Sequence, residues 1–327
     1  MITRLLALLL ALVSLPMHAQ KEARDEVQDI LSAVVRVRAK IVSDARSAAT
    51  LGLQREGTGV IVRENYVATI GYLVIEAESI EVTGADGKAV PATLAGYDHA
   101  SGYGVLRLLA PLSGKPLPFG NAAALAERDP VLVASYGGRD GLSVVHVVSR
   151  RPFSGSWEYL LDKAIWTYPA VMNWSGAPLI GPKGDFLGIG SLVVADSAGG
   201  GEQSPGNMFV PSDLLRPILD ELIAKGRRAA PQQPWLGMTT EEMRGRLFVS
   251  RVTPEGPAAK AGIKPGDIVL GVGGQPASDL ADLYRKVWAT GAAGTRVPLN
   301  VLQGVEPREV GIDSVDRLSH LRLKRSF

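Results

Sequence analysis

The chain of 327 residues contains no cysteine, which excludes disulfides and thiolate metal sites at the outset. Histidine is scarce as well: His18, His99, His146 and His320 are the full set. No dedicated metal site is expected from so few imidazoles, and none of the carboxylates stands at a ligand spacing. Positive and negative charge nearly cancel, leaving a formal +2, so nothing calls for nucleic acid or another polyanion as a partner. Internal repeats and low-complexity tracts are absent. Beyond the N-terminus no run is long and apolar enough to span a bilayer.

What is there suits a folded, exported, two-domain protein. Hydrophobic residues make up 46% and charged residues 21%, enough apolar material for a real core. The length exceeds one small domain and fits two. The 37 glycines and 21 prolines predict many turns between short strands. At the N-terminus Arg4 precedes an apolar run from Leu5 to Val13, with Ala19 as a small residue before a cut, the pattern of a signal peptide over residues 1–19. That run is too short for a core of ~30 Å, and a cleaved signal is favoured over a retained anchor.

From Lys21 to about Arg46 apolar residues recur at helical spacing, predicting a helix that merges into a strand. Short alternating runs follow: Gly57 to Arg63, Tyr66 to Ile70, Ser79 to Thr83 and Gly104 to Leu108, with Asp86 and Gly87 as a hairpin turn. Pro130 to Tyr136, Leu142 to Val148, Ala164 to Thr167, Phe186 to Leu192 and Met208 to Val210 continue the pattern. Strands this close predict antiparallel barrels. After Pro211 the period turns helical, with Ser212 as a cap and Gly226 as a stop. Residues 227–234 read as a linker. A second unit follows over 235–313, with a helix from Ser278 to Thr290 and a strand from Val297 to Leu302. Residues 314–327 form a basic tail expected to fray.

Two strings carry a resemblance. Met172 to Leu179 reads MNWSGAPL, a serine in a glycine-bounded turn before a strand. Gly256 to Val269 reads GPAAKAGIKPGDIV, a short alanine-rich helix, a stop and a buried strand. The first resembles the nucleophile loop of trypsin-like serine proteases, and the second the PDZ domains of their HtrA/Deg branch. The resemblance covers about Gly57 to Ile312. It implies a mainly β fold, a trypsin-like double β-barrel over 20–226 followed by an α+β PDZ domain.

The same resemblance places the site. Ser175 takes the nucleophile position. A serine hydroxyl needs a histidine to accept its proton and an aspartate to orient that histidine. Asn65 to Val74 (NYVATIGYLV) matches the family's histidine segment with Tyr72 at the histidine position. Asp98 to Leu106 (DHASGYGVL) matches the aspartate segment with Gly102 at the aspartate position. A tyrosine with an ordinary pKa near ~10 is a poor base at neutral pH. His99 is read as an exposed turn residue and His146 as structural. Asn173 and Ser175 would supply the oxyanion amides, with Asn173 tolerating the positive φ usually given to glycine. Trp174 is read either as a pocket wall or as a partly exposed core aromatic. The segment from Gly199 to Gly206 is expected to be mobile.

In the PDZ unit, Trp235, Leu236, Gly237 and Met238 match the loop whose amides cradle a terminal carboxylate, and Leu283 and Val287 lie on the helix forming the opposite wall. The implied protein is an exported HtrA-like pseudoprotease binding unfolded or C-terminal peptide segments, chaperone-like or regulatory, with no cofactor. The alternative is an active periplasmic serine endopeptidase using Ser175 with a non-standard base. A homo-oligomer or an active HtrA relative as partner stays open.

Overall fold

The computed structural model describes residues 27–201 and 203–323. The expected signal over 1–19 and the last residues, Ser326 and Phe327, lie outside the described residues. Among the described residues no helix is long and apolar enough to cross a membrane.

The chain divides into two compact units, and the division is not a single cut. The first unit takes residues up to Arg151 and Lys163–Arg228. The second takes Ala229–Arg322 and also Pro152–Asp162, a segment in the middle of the first unit's sequence.

In the first unit, helix α1 (described over 27–33) runs directly into β1 (Val34–Ile41), the expected helix-to-strand merger. A closed antiparallel barrel follows, in the order β1, β2 (Gln54–Arg63), β3 (Tyr66–Ile70), β6 (Tyr103–Leu108), β5 (Ala89–Tyr97) and β4 (Ala77–Thr83). Period-two alternation makes it close. Val37, Ala39 and Ile41 of β1 are buried, whereas Arg38 and Lys40 between them face water. The Arg38–Glu56 pair (2.6 Å) across β1 and β2 is exposed on both sides, where water screens it, so it contributes little to stability.

The second barrel closes in the order β10 (Pro178–Ile180), β11 (Phe186–Val194), β12 (Gly206–Pro211), β9 (Tyr159–Tyr168), β8 (Leu142–Gly155) and β7 (Pro130–Ala134). Its core is Val131, Val133, Val145, Val147, Ile165, Leu179 and Phe209, all buried. The buried Tyr103 hydroxyl donates to the Val210 carbonyl at 2.9 Å, joining β6 to β12.

The helix expected from Ser212 is broken. Two 3-10 turns precede helix α2 (Leu219–Lys225), and Pro217, which has no N–H to give a continuing helix, lies in the second of them. Ser212 does not cap: its hydroxyl is buried without a hydrogen-bond partner. Gly226 does end the helix, in the left-handed conformation.

The second unit has a sheet in the order β13 (Met238–Met243), β14 (Arg246–Val252), β15 (Ile268–Val272), β17 (Arg296–Gln303) and β18 (Glu306–Asp313), with the two-residue β16 (Gln275–Pro276) beside β15. Helices α3 (Pro257–Lys260) and α4 (Leu280–Ala289) cover it. The α4 helix starts two residues later than the expected Ser278, because the Asp279 carboxylate accepts the Asp282 N–H and makes Asp279 the cap. Beyond β18 the chain stays ordered: Val315 bridges Trp235, and Arg317–His320 form a helical turn.

Candidate functional site

Ser175 lies in the turn between β9 and β10, and backbone bonds on both sides fix it. Its carbonyl accepts the Thr58 N–H at 2.8 Å, the next N–H, of Gly176, reaches Gly190 O at 2.9 Å, and Ala177 N–H reaches Trp174 O at 2.9 Å. The Ser135 hydroxyl donates to Asn173 O at 2.7 Å. Gly176 has φ +72, and a Cβ there would stand 2.0 Å from the Thr58 carbonyl oxygen. The turn therefore requires glycine one residue after the serine. Gly176→Ala is expected to lower stability by about 3 kcal/mol, read as a lower urea midpoint at unchanged m-value.

Asn173 departs from its expected conformation: it is absent from the positive-φ residues, and the left-handed residue of this turn is Gly176. The close approach to the Thr58 carbonyl falls at Gly176, one residue after the serine, and it is there that the left-handed conformation is found.

Beside Ser175 opens a cleft of about 360 Å3 lined by Arg36, Glu56, Tyr136, Asn173 and Trp174. Trp174 is half-buried, walls the cleft, and donates its indole N–H to Ser191 O at 3.2 Å. The Arg36 guanidinium sits 5.2 Å above the centre of the Tyr136 ring, a cation–π contact in the same wall.

Tyr72 stands beside the serine. Its hydroxyl oxygen is 2.9 Å from Ser175 Oγ and 2.9 Å from Ser191 O. A carbonyl only accepts, so the single phenolic proton belongs to Ser191 O, and the Ser175 hydroxyl donates to Tyr72 Oη. Burial pushes the Tyr72 phenol up to about 12, against the opposing pull of its bonds to Ser175 and Trp174. At neutral pH the phenolate fraction is then on the order of 10⁻⁵.

Gly102 is close by in the backbone, its carbonyl accepting the Gly71 N–H at 2.7 Å one residue before Tyr72. The carboxylate of Asp98 is committed elsewhere, to Ser101 Oγ (2.6 Å) and the Arg228 guanidinium (2.8 Å). His99 Nδ1 pairs with the Tyr97 hydroxyl at 3.2 Å, and His146 is exposed on β8. His320 packs on Trp235 in the second unit. Among the described residues no cluster of three or more histidine, aspartate or glutamate side chains could hold a metal.

In the second unit Leu236, Gly237 and Met238 direct their N–H groups to one point. The acceptor at that point is the Glu158 carboxylate, from the segment that β8 and β9 enclose. Trp235 is not part of the convergence, since its N–H goes to Val315 O at 3.0 Å. Leu283 and Val287 are buried in the unit's core, and the side chain that α4 presents to Glu158 is Tyr284. Glu158 escaped the sequence reading. A glutamate between Trp157 and Tyr159 in a hairpin tip offered only that aromatic flanking as a signal.

A double barrel with a turn-borne serine, followed by a sheet whose first loop gathers amides, defines a trypsin-like peptidase domain joined to a PDZ domain. Residues 57–189 match the trypsin-like peptidase domain family and residues 234–313 the PDZ domain family. The chain belongs to the HtrA/Deg-type trypsin-like serine protease family with one C-terminal PDZ domain. It is 29% identical over 272 residues to the periplasmic pH-dependent serine endoprotease DegQ of Escherichia coli, covering 78% of this chain and 58% of that one. To a probable DegP-like periplasmic serine endoprotease of Brucella suis it is 30% identical over 275 residues, covering 79% and 52%. The chain thus spans little more than half the length of these curated relatives.

Solved structures agree in fold. A serine endoprotease from Yersinia pestis has a TM-score of 0.53 at 24% identity, covering 90% of this chain and 97% of that one. The HtrA-type protease AlgW, solved with a tripeptide, has 0.53 at 21% identity, covering 92% and 97%.

Proposed function

We propose that this chain is an exported, periplasmic HtrA-type protein that binds polypeptides through its PDZ domain and Ser175 cleft without hydrolysing them, in a chaperone-like or regulatory role. The observation that supports this reading is the partner of Ser175. The group within reach of its proton is Tyr72, a neutral phenol whose own proton is engaged by Ser191 O. Burial holds that phenol far above neutral pH, so it offers no useful basicity there. In a serine hydrolase built on a serine–histidine–aspartate triad, loss of the base removes roughly a millionfold in turnover.

A second reading is favoured by the relatives, whose names give them as serine endoproteases. On it Ser175 is an active nucleophile, the amides of Asn173 and Ser175 hold the oxyanion, and the serine's proton leaves by a non-standard base. The intact Gly176 turn is compatible with that chemistry. One assay separates the two readings. The purified protein is incubated with denatured casein beside its Ser175→Ala variant. Equal, background-level release from both supports the non-hydrolytic reading. Turnover that vanishes in the variant establishes the endopeptidase.

A further inference from the structure

The segment Pro152–Asp162 belongs to the second unit, and its tip meets the carboxylate loop as a peptide would. Glu158 is 4% exposed. Its Oε2 accepts the Leu236 N–H at 2.8 Å, and its Oε1 accepts the Gly237 and Met238 N–H groups at 2.7 and 3.1 Å. Gly237 takes φ +77, which turns its amide into line with its neighbours.

The contact continues along the backbone. Two residues before Glu158, the Ser156 carbonyl accepts the Thr240 N–H at 2.9 Å. Thr240 lies on β13, the end strand of the sheet, where an added strand would pair. From α4, the Tyr284 hydroxyl donates to Gly155 O at 2.7 Å and accepts the Glu158 N–H at 3.1 Å. Carboxylate in the amide loop, carbonyl on the edge strand two residues earlier: this is the bonding a bound peptide end makes.

Glu158 also carries a backbone signal, φ +59, a left-handed conformation that residues with a Cβ avoid. The turn it allows is braced by aromatic packing, with Trp157 and Tyr159 stacked at 6.0 Å and Phe153 against both at 5.9 and 6.1 Å. A hairpin tip needing only to cover a core would not require a buried carboxylate facing three donors.

We propose that the Gly155–Glu158 segment is a built-in ligand of the PDZ carboxylate loop, the Glu158 side chain standing where a peptide's terminal carboxylate would sit, so that peptide capture requires the hairpin tip to leave. The consequence for peptides rests on the polypeptide-binding reading above; the internal occupancy does not. A tethered ligand acts at an effective concentration of about millimolar. Against an intrinsic peptide affinity of about micromolar, the tip would lower apparent affinity by up to a thousandfold.

The test is hydrogen exchange on the full chain, followed at residues 236–238 and, as folding controls, in β14 and β17. In Glu158→Ala the three amides lose their acceptors and are expected to exchange at least tenfold faster, with the controls unchanged. Glu158→Gln, which keeps one acceptor oxygen, should fall between. Equal exchange in all three proteins overturns the proposal. Should the variants lose protection in the controls, the wild-type chain decides the matter: a saturating apolar-ended peptide with a free carboxylate should raise exchange at Gly155 to Tyr159. Peptide bound with no such rise also overturns it. Calorimetry with the same peptide should show at least tenfold tighter binding to Glu158→Ala. If the amides are released in the variant yet no peptide binds either protein, the internal ligand stands and the peptide-binding reading falls.

Discussion

Tyr72→His combined with Gly102→Asp is expected to label Ser175 with a serine-directed phosphonate up to about ten-thousandfold faster than Tyr72→His alone. That is the loss seen when the orienting aspartate of a serine–histidine–aspartate triad is made neutral. The geometry supports the pairing of sites. Tyr72 Oη is already 2.9 Å from Ser175 Oγ, and Gly102 bonds the residue before Tyr72. Removing the phenol frees Ser191 O, but Trp174 still donates to it at 3.2 Å, so that strand end keeps a donor. The substitution at Gly102 carries strain, because its φ is +80 and a side chain there costs about 1–2 kcal/mol. Aspartate is among the residues that bear this best. The double variant should therefore melt lower and label faster. Labelling of the single histidine variant at the rate of the double would show that Gly102 is not where the orienting carboxylate belongs.

The barrels were legible because their strands alternate. Tyr66–Ile70 falls where the pattern of small and apolar residues put it, and Tyr103–Leu108 differs by one residue from the expected strand. Ala89–Tyr97 was not legible: Pro91, Gly96 and three alanines blur its period, and barrel closure against β4 and β6 holds it as a strand. Leu142–Gly155 outran its expected end at Val148 because Arg150, Arg151 and Pro152 interrupt the apolar pattern while the backbone ladder continues. The placement of Tyr72 beside Ser175 followed from the alignment of a motif, yet the direction of the hydrogen bond did not. That depends on the Ser191 carbonyl, 119 residues away in sequence. Glu158 and Gly237 are 79 residues apart, and no local propensity links a hairpin tip to an amide loop at that distance. Composition can announce a core. It cannot announce which carboxylate will fill a particular cradle.

Peptide binding to the PDZ unit is expected to weaken as pH falls from about 7.5 to 5, because the internal ligand is held more tightly at the lower pH. Burial pushes the Glu158 carboxyl from its ordinary 4.5 up to about 7, overcoming the Leu236, Met238 and Gly237 amides and the Arg317 charge, which all pull down. Tyr284 is the titratable group on α4 facing it, and burial raises that phenol further from neutrality, so it stays protonated throughout. Arg317, whose guanidinium donates to Trp157 O at 2.8 Å, is the positive charge beside Glu158. No titratable side chain comes from Leu236 to Thr240. The sign follows from proton binding. The docked tip binds more protons than a free one between about 4.5 and 7, so its docking is favoured fully below that window and progressively lost as pH rises through it. The full span corresponds to about 3 kcal/mol, a few hundredfold in the docking equilibrium. A peptide's own terminal carboxylate starts lower, with an ordinary pKa near ~3.5, so burial in the same cradle carries its titration less far into this range than that of Glu158. Calorimetry of one apolar-ended peptide at pH 5, 6 and 7.5 should show the wild-type Kd falling as pH rises, a fall that Glu158→Ala does not show. Tighter wild-type binding at pH 5 than at 7.5 would mean that the three amides outweigh burial and hold the Glu158 carboxyl below its ordinary range.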